Sequence, residues 1–343
     1  MIKNYIKIAW RNIKKDRLFS VVNILGLSVG LAITILLFLF ISYERSYDGM
    51  YSKKVQIQRV LLHTEDEGGK EVWANVPAAL APSIAKDIPE IEAAMRMLKH
   101  DFGSTAYIKA EHNDYEEKEL YWTDPEIISL FDMVFVKGNP KEALKEPKTV
   151  ILSETTSKKY FGAENPIGKQ ITVDNRTVLT VTGVYKDFPK NSSVSCNIIG
   201  AFSTLNFFKN PTWSNASFET FVLLNEAAST EAVSSKIQKV LDKNVAKDQQ
   251  WYSFSLQPLE KIHLYSSEYK DSYTSRNGSI KEVRNLSTLA LLILIIACIN
   301  YMNLITARSE KRGKDVGINK TMGATVKNLI LRFYIETGLI TLV

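Results

Sequence analysis

One stretch of the chain, residues 21–41, contains no charged side chain, and it limits the possible folds more than any other feature. A helix of that length is about 31 Å long, which matches the hydrocarbon thickness of a bilayer. The stretch is longer than the apolar region of an ordinary signal peptide, and no small-residue cleavage site follows it. The sequence therefore predicts an uncleaved signal anchor, with a transmembrane helix at residues 21–42.

Two glycines in this stretch, Gly26 and Gly30, lie four positions apart, and Thr34 follows one turn later. Small residues at this spacing leave one face of a helix without bulk, so that a second helix can approach closely. Glycine is also common in membrane helices for no such reason. The sequence leaves open whether Gly26 and Gly30 pack against another helix or only reflect composition.

A second apolar stretch, residues 286–305, predicts the other complete transmembrane helix. Six basic residues against one acid precede the first stretch, and seven against three acids follow the second. Because basic residues that flank a span stay on the cytoplasmic side, both ends of the chain are predicted to be cytoplasmic. Residues 43–285 are then exported. We predict a multi-pass protein of a bacterial inner membrane with a large periplasmic domain.

The charge balance also bears on the partners. The formal net charge is +6 and the pI is near 9.0, but the basic excess lies at the two ends and the middle of the chain is net acidic. We therefore predict no nucleic-acid partner. Cys196 lies in the exported part and Cys298 in the second span, so no disulfide is expected within the chain, which suits a bacterial envelope protein.

The first 20 residues place apolar side chains at helical spacing and most of their cations on the opposite side. This pattern predicts a cytoplasmic amphipathic helix at residues 1–20 that lies on membrane lipids, with Trp10 at the level of the headgroups. The alternative is a plain basic flank that only fixes the orientation of the first span.

The exported segment mixes strand-like and helix-like patterns without regular alternation, which favours an α+β fold. Ser153 is expected to cap a helix that stops at Gly162, and a hairpin is expected to turn at Asp174. Asp124 is expected to cap another short helix. A polar loop that contains Pro189 is expected to mark the boundary between two lobes, one of them discontinuous in sequence.

No pattern in the chain indicates catalysis. Residues 162–170 read GAENPIGKQ and approach a phosphate-binding loop, but five residues rather than four separate the glycines. Gln170 also stands where Ser or Thr would bind magnesium. The four histidines form no metal-binding pair, and no G-x-S-x-G motif occurs. We predict no catalytic, metal or cofactor site in this chain.

The segment after the second span reads ARSEKRGKDVGINKTMGA at residues 307–324. It combines cations next to a span, the apolar residues Val316 and Ile318, and glycines that interrupt a helical pattern. We predict a cytoplasmic loop at residues 306–327 that includes a short interfacial helix offered to a partner. A plain basic flank with turn glycines explains the cations but not the rest.

This segment resembles a known signature. The run KDVGINKTMGA, with FYIET behind it, is similar to the REIGIRKxLGA signature of MacB/FtsX-type ABC transporter permeases. Two exported stretches, SLFDMVFVKGNPKEALKEPKTVILSETTSKKYFGAENPIGKQI and VTGVYKDFPKNSS, are similar to the MacB-like periplasmic core in the form common in Bacteroidetes-type bacteria. The resemblance covers essentially the whole chain.

The resemblance implies a permease without its own ATPase, working as a homodimer or pseudo-dimer with a separate cytoplasmic ABC ATPase subunit that binds ATP. Closure of that subunit would be transmitted to the periplasmic domain, which exports or extracts a substrate or activates a partner. A periplasmic adaptor or substrate protein is a further implied partner. The residues implied in the ATPase contact are Lys314, Asp315, Val316, Gly317, Ile318, Lys320, Gly323 and Ala324. Asn319 departs from the signature, which more often has a basic residue there.

Family permeases have four spans, or eight in duplicated forms, whereas residues 328–343 supply only the start of a third. We therefore expect the N-terminal part of a longer permease. The alternative function is a two-span membrane receptor with a periplasmic ligand-sensing domain. A membrane-anchored enzyme is disfavoured because no catalytic pattern is found.

Overall fold

The computed structural model describes residues 17–66, 69–111, 113–273, 277–323, 325–327, 329–331 and 334–335. In these ranges the α-helices are α1 (Arg17–Arg45), α2 (Leu80–Asp87), α3 (Ile127–Leu130), α4 (Glu154–Phe161), α5 (Asn206–Lys209), α6 (Thr230–Asn244), α7 (Leu259–Tyr265) and α8 (Ile280–Thr321). The strands are β1 (Ile57–Asp66), β2 (Gly69–Trp73), β3 (Asn75–Pro77), β4 (Ile91–Lys99), β5 (Ala106–Ala110), β6 (Asn113–Glu117), β7 (Leu120–Thr123), β8 (Phe135–Gly138), β9 (Thr149–Ser153), β10 (Gln170–Val173), β11 (Thr177–Tyr185), β12 (Ile198–Ala201), β13 (Ala216–Leu224) and β14 (Tyr252–Pro258).

The chain divides into two compact units. One consists of Met1–Tyr43 with Ile280–Val343 and contains both apolar stretches, and the other is Glu44–Ser279. Most of the predicted amphipathic helix at residues 1–20 lies outside the described residues, and so does most of the predicted third span at residues 328–343.

Among the described residues, two helices are long and apolar enough to cross a membrane. They are Ile24–Arg45 within α1 and Ile280–Asn303 within α8. Many of their large apolar side chains are exposed, among them Leu36, Phe38 and Ile296. Side chains of this kind need no protein cover where lipid surrounds them, so their exposure fits membrane-spanning helices.

The helix that starts at the second apolar stretch is longer than predicted. α8 continues through Gly313 and Gly317 and ends at Thr321, so the interruption of the helix that was expected at Gly317 does not occur. A glycine inside a helix costs only about 1 kcal/mol relative to alanine, which the neighbouring turns offset. The chain leaves the helix at Gly323, whose φ of +86° favours glycine.

The strands of the second unit form one sheet in the order β14-β1-β13-β4-β7-β12-β9-β11-β10-β5-β6. Three further strands are attached beside this path, with β2 on β1, β3 on β13 and β8 on β11. The pairs β7–β12 and β9–β11 are parallel, whereas β1–β13, β4–β13 and β10–β11 are antiparallel. A mixed sheet with helices inserted irregularly is an α+β fold, as predicted.

Both faces of the sheet are covered by buried apolar side chains. On β13, Phe221 and Leu223 belong to one cluster, and Val222 and Leu224 belong to another, because successive side chains point to opposite faces. The first cluster lines one face. The opposite face carries two separate clusters, one under α2 and α6 and the other beside α4. Each fully buried side chain of this size contributes about 1.5–3 kcal/mol to folding.

Short-range sequence signals predicted several local structures correctly. Ser153 caps α4 by accepting a hydrogen bond from the N–H of Thr156, and α4 ends at Gly162. The hairpin of β10 and β11 turns at Asp174 and Asn175, which have φ values of 51° and 53°. Such values favour Asn, Asp and Gly, so the turn residues and the conformation agree.

Two expectations for the exported segment are wrong. Asp124 does not cap α3, because its carboxylate is bound by the guanidinium of Arg96 and the N-cap position is Glu126. The Pro189 loop does not separate lobes, because β11 and β12 on either side of it both pair with β9 in the same half of the sheet.

Candidate functional site

Three segments of the second unit meet at His263 on α7. Glu44, in the last turn of α1, places its Oε2 atom 2.9 Å from Nε2 of His263. The ring of Tyr47 stacks on the imidazole, with 3.3 Å between the ring centroids and 2° between the planes. The N–H of Gly278 donates to the carbonyl oxygen of His263 at 2.9 Å. We call these four residues the His263 junction.

The His263 junction is tightly packed, and this packing explains why residue 278 is a glycine. A Cβ atom at position 278 would lie 2.6 Å from Oε2 of Glu44 and 2.7 Å from Nε2 of His263. Any larger residue would therefore push the carboxylate and the imidazole apart. The side chains of His263 and Glu44 are only 4% and 14% exposed, so water screens their interaction weakly.

A second set of contacts holds the segment that follows α1. The carboxylate of Asp48 accepts hydrogen bonds from the backbone N–H of Ser193, at 2.8 Å, and from its hydroxyl group. The N–H of Asp48 donates to the carbonyl oxygen of Asn191 at 2.9 Å, and the Asn191 amide donates to the carbonyl oxygen of Ser46 at 3.1 Å. The loop that was expected to mark a lobe boundary instead fastens the chain next to the junction.

Asp48 is fully buried, and this burial raises the pKa of its carboxyl group although the hydrogen bonds from Ser193 act against the shift. Its φ is 58°, a conformation that Asp and Asn adopt more readily than most residues. The protonation of the carboxyl group and the backbone conformation at this position therefore both depend on the surrounding structure.

A buried ion pair connects the central strands with the chain that leads towards α8. Arg59 on β1 and Glu219 on β13 are fully buried, with 3.2 Å between Nη1 and Oε1. Nη2 of Arg59 also donates to Oε1 of Gln257 at 2.8 Å and to the hydroxyl group of Ser266 at 2.7 Å. Glu219 accepts a hydrogen bond from the hydroxyl group of Ser272 at 3.0 Å. Burial lowers the pKa of Arg59, and the charge of Glu219 opposes that shift.

In the first unit, Gly30 and Gly26 differ in their surroundings. A Cβ atom at Gly30 would lie 2.8 Å from Cβ of Ala297, so α1 and α8 touch at this point. A Cβ atom at Gly26 would have nothing within 4 Å among the described residues. The structure thus places one glycine of the pair in a helix contact and leaves the other on an open face.

The predicted ATPase contact lies on the last part of α8 and just beyond it. The backbone of residues 314–320 is helical, and the side chain of Ile318 is 61% exposed. Val316 is half-buried, while Gly317 and Lys320 are exposed. Ala324 lies outside the described residues, as do the side chains of Lys314 and Asp315.

Because this segment is helical, spacing along the helix decides which of its side chains share a face. Val316 and Ile318 are two positions apart and point to different sides of the helix. Ile318 and Met322 are four positions apart, and Met322, just after the end of α8, is 84% exposed. The apolar surface presented here is therefore formed by Ile318 and Met322. Sequence reasoning missed Met322, although its spacing from Ile318 could have indicated it.

Sequence reasoning also missed the His263 junction, because its members come from three distant segments and show no local pattern. Among the described residues, no group of three or more His, Cys, Asp or Glu side chains is arranged to hold a metal ion. What the junction offers is a mechanical connection between the segments that adjoin the two apolar helices in sequence.

Comparison with known proteins identifies relatives of the exported segment. The profile of the family described as the MacB-like periplasmic core domain matches residues 20–240. The macrolide export ATP-binding/permease protein MacB of Aggregatibacter actinomycetemcomitans is 27% identical over 201 residues, which cover 57% of this chain and 28% of that protein. The protein of the same name from Burkholderia cenocepacia (strain HI2424) is 26% identical over 210 residues, which cover 58% and 27%. The match thus spans little more than a quarter of the length of these relatives.

A solved structure shares the fold. The crystal structure of a domain attributed to a permease protein of Porphyromonas gingivalis superposes with a TM-score of 0.54 at 22% sequence identity. The superposition covers 61% of this chain and 91% of that domain.

Proposed function

The chain belongs to the family of the MacB-like periplasmic core domain, and from that membership we propose that it is the permease subunit of a MacB/FtsX-type ABC transporter. In this proposal a separate cytoplasmic ABC ATPase subunit hydrolyses ATP. The movement that follows passes through the membrane helices to the periplasmic domain, which exports or extracts a substrate or activates a partner protein. The family match over residues 20–240, a core domain accompanied by two apolar helices, carries the proposal.

The placement of the ATPase on a separate subunit is part of the proposal. The names of the curated relatives combine ATP-binding and permease functions in one protein, and this chain matches just over a quarter of their length. No phosphate-binding loop motif occurs in the sequence, because the closest run, at residues 162–170, has the wrong spacing.

The proposed ATPase contact is the end of α8. The exposed side chains of Ile318 and Met322 form an apolar patch among basic residues, a composition suited to docking into a groove of a partner protein. Lys314, Asp315, Val316, Gly317, Lys320, Gly323 and Ala324 are the other residues of the proposed contact.

The proposed path of transmission uses the His263 junction. Glu44 lies three positions after the first apolar stretch, and Gly278 lies two positions before the start of α8. Because both contact His263, a displacement of either segment changes the geometry of the other. The ion pair of Arg59 and Glu219 extends this connection to the central strands of the sheet.

The proposed location is the bacterial inner membrane, with the two spans crossing it and residues 43–285 in the periplasm. The distribution of basic residues supports this orientation. We further propose a homodimer or pseudo-dimer, with membrane lipids around the spans and a periplasmic adaptor or substrate protein as a partner of the core domain.

We also propose two lobes within the core domain, with a different boundary from the one first expected. The clusters under α2 and α6 and beside α4 are separate, although they lie on the same face of the sheet. The first belongs to residues before β5 and from β13 onward, so that lobe is discontinuous in sequence. The cluster beside α4 also includes Leu98 of β4 and Phe218 of β13, so the proposed boundary crosses these two strands and does not follow the Pro189 loop.

The experiment that tests the function is a co-purification. The full-length protein is extracted from its native membranes in mild detergent, and the bound proteins are identified by mass spectrometry. We expect recovery of a soluble ATPase with a true phosphate-binding loop. The double variant Gly317→Asp with Ile318→Asp should lose that ATPase, because one carboxylate would replace a member of the apolar patch and the other would be added next to it.

Val55→Asp is the matched control, because Val55 is 71% exposed in the second unit and lies away from the proposed contact in sequence. It should leave the recovery of the ATPase unchanged. Normal recovery in the double variant would disprove the contact. Absence of any ATPase from the wild-type protein would favour the two-span receptor.

A further inference from the structure

A cleft of about 400 Å³ opens on the second unit between α2 and α5. One wall comes from α2 and β4, and the other comes from the residues before α3 and around α5. The volume lies within the range of small-molecule sites, about 300–1,000 Å³. The cleft is lined only by residues of the second unit and has no role in the proposed coupling path, so its function is a separate question.

A buried ion pair forms the floor of the cleft. Nε and Nη2 of Arg96 each lie 2.8 Å from a different carboxylate oxygen of Asp124. The rings of Phe202 and Phe208 have their centroids 4.2 Å and 5.5 Å from the guanidinium carbon. Because Asp124 neutralises Arg96 in this two-pronged geometry, the floor is rigid and offers no net charge to a ligand.

Glu126 supplies the charge of the cleft. Its side chain is half-buried, and it forms no salt bridge with any residue that the structure describes. The lysine on the rim, Lys145, pairs with Glu142 at 3.3 Å. Burial raises the pKa of Glu126, which shows that its surroundings disfavour the charge. The nearby cation, Arg96, is already paired with Asp124, so the half-buried carboxylate of Glu126 costs free energy that a cationic ligand would recover.

A second polar group in the cleft also lacks a partner. The hydroxyl oxygen of Ser203 is shielded from water and forms no hydrogen bond with any described residue. The rest of the lining is largely apolar and includes Ala81, Pro82 and Ala85 of α2 and the ring of Phe208. The cleft thus combines an anionic group, an unused hydroxyl group and apolar walls.

We propose that this cleft binds a small amine with an apolar body, whose ammonium group pairs with Glu126. The apolar body lies against α2 and Phe208. The negative charge of Glu126 favours a cationic ligand over an anionic one. The apolar walls of the cleft favour a ligand with an apolar body.

Three probes that share a fluorophenyl body and differ only in the polar end group test this proposal: 3-(4-fluorophenyl)propylamine, the matching alcohol and the matching carboxylic acid. Binding to the protein in lipid nanodiscs is followed by fluorine NMR. We expect the amine to bind roughly tenfold more tightly than the alcohol, since a charged hydrogen bond is worth about that factor. The acid should bind more weakly than both.

Three variants separate the site from the membrane, into which every probe also partitions. Glu126→Gln should remove the preference for the amine but keep the binding of the alcohol. Ala85→Trp should block all three probes, because position 85 is exposed on the rim and tolerates a large side chain. Glu116→Gln, at an exposed position on β6, should change nothing.

Equal binding of the amine and the acid, an unchanged preference in Glu126→Gln, or no specific binding of the amine to the wild-type protein would each overturn the proposal. Because the readout requires no ATPase, its failure is independent of failure of the proposed transporter function.

Discussion

His263 and Glu44 are 219 residues apart in the sequence, and their side chains lie 2.9 Å from each other. Glu44 lies in the last turn of the helix that carries the first apolar stretch, and His263 also holds the backbone of Gly278, just before the helix that carries the second. One residue, His263, therefore links the two segments of the core domain that adjoin the apolar helices in sequence, through its imidazole on one side and its carbonyl oxygen on the other. The packing around His263 leaves little space for a larger side chain.

Replacing Gly278 with alanine should break this link. The new methyl group would lie within 3 Å of both Glu44 Oε2 and His263 Nε2, and overpacking of this kind costs about 1–3 kcal/mol. Urea denaturation followed by fluorescence should show a lower free energy of unfolding. The neighbouring variant Asn277→Ala, at an exposed position, should be neutral. Equal free energies of unfolding for the two variants would show that the junction accommodates the added methyl group without loss of stability.

The variant Asp48→Asn should change the pH dependence of stability. Burial raises the pKa of Asp48 above 3.8, so the native state holds its proton more tightly than the unfolded chain does. This group therefore favours folding most at low pH, and that contribution is lost as the pH rises through the raised pKa. Asparagine carries no charge and accepts a φ of 58°, so the variant should be at least as stable as the wild type at neutral pH.

Asp132→Asn is the control for this effect. Asp132 also has a positive φ, 46°, but its side chain is exposed. Thermal unfolding over a series of pH values should show a flatter profile for Asp48→Asn and an unaltered profile for Asp132→Asn. An unaltered profile in both would mean that Asp48 is not a source of the pH dependence.

The two glycines of α1 should respond differently to a bulky residue. Gly30→Leu should lower the thermal midpoint of the protein in detergent, because even a Cβ atom there would lie 2.8 Å from Cβ of Ala297. Gly26→Leu is the matched control on the same helix, with nothing within 4 Å among the described residues. A larger loss for Gly26→Leu would indicate that the face at Gly26 packs against another molecule.

Removing one member of the buried ion pair should be costly. Arg59→Met leaves the carboxylate of Glu219 buried without its guanidinium partner, and such changes cost roughly 3–5 kcal/mol. The double variant Arg59→Met with Glu219→Leu should regain most of the lost stability in urea denaturation, because no charge is then buried. If the double variant is no more stable than the single one, the network stabilises the fold through its hydrogen bonds to neighbouring residues instead.

The sequence predicted what depends on nearby residues. The helix cap at Ser153 and the hairpin turn at Asp174 were correct, because each is decided within a few positions. The role of Asp124 was not predictable, because it depends on Arg96, which arrives from another strand. The same holds for the pair of Arg59 and Glu219, since single-sequence patterns carry no information on which strands become neighbours.

α8 is one helix of 42 residues, so it is about 63 Å long, of which the candidate membrane span Ile280–Asn303 accounts for about 36 Å. A continuous helix resists twisting as well as compression, because hydrogen bonds join each turn to the next. In the proposed transporter, a partner that turned the end at Ile318 would turn the end at Ile280 by a similar angle. The quantity delivered across the membrane would then be torque. A rotating rod needs no aqueous passage, so the bilayer could stay sealed to ions while work is done on its far side.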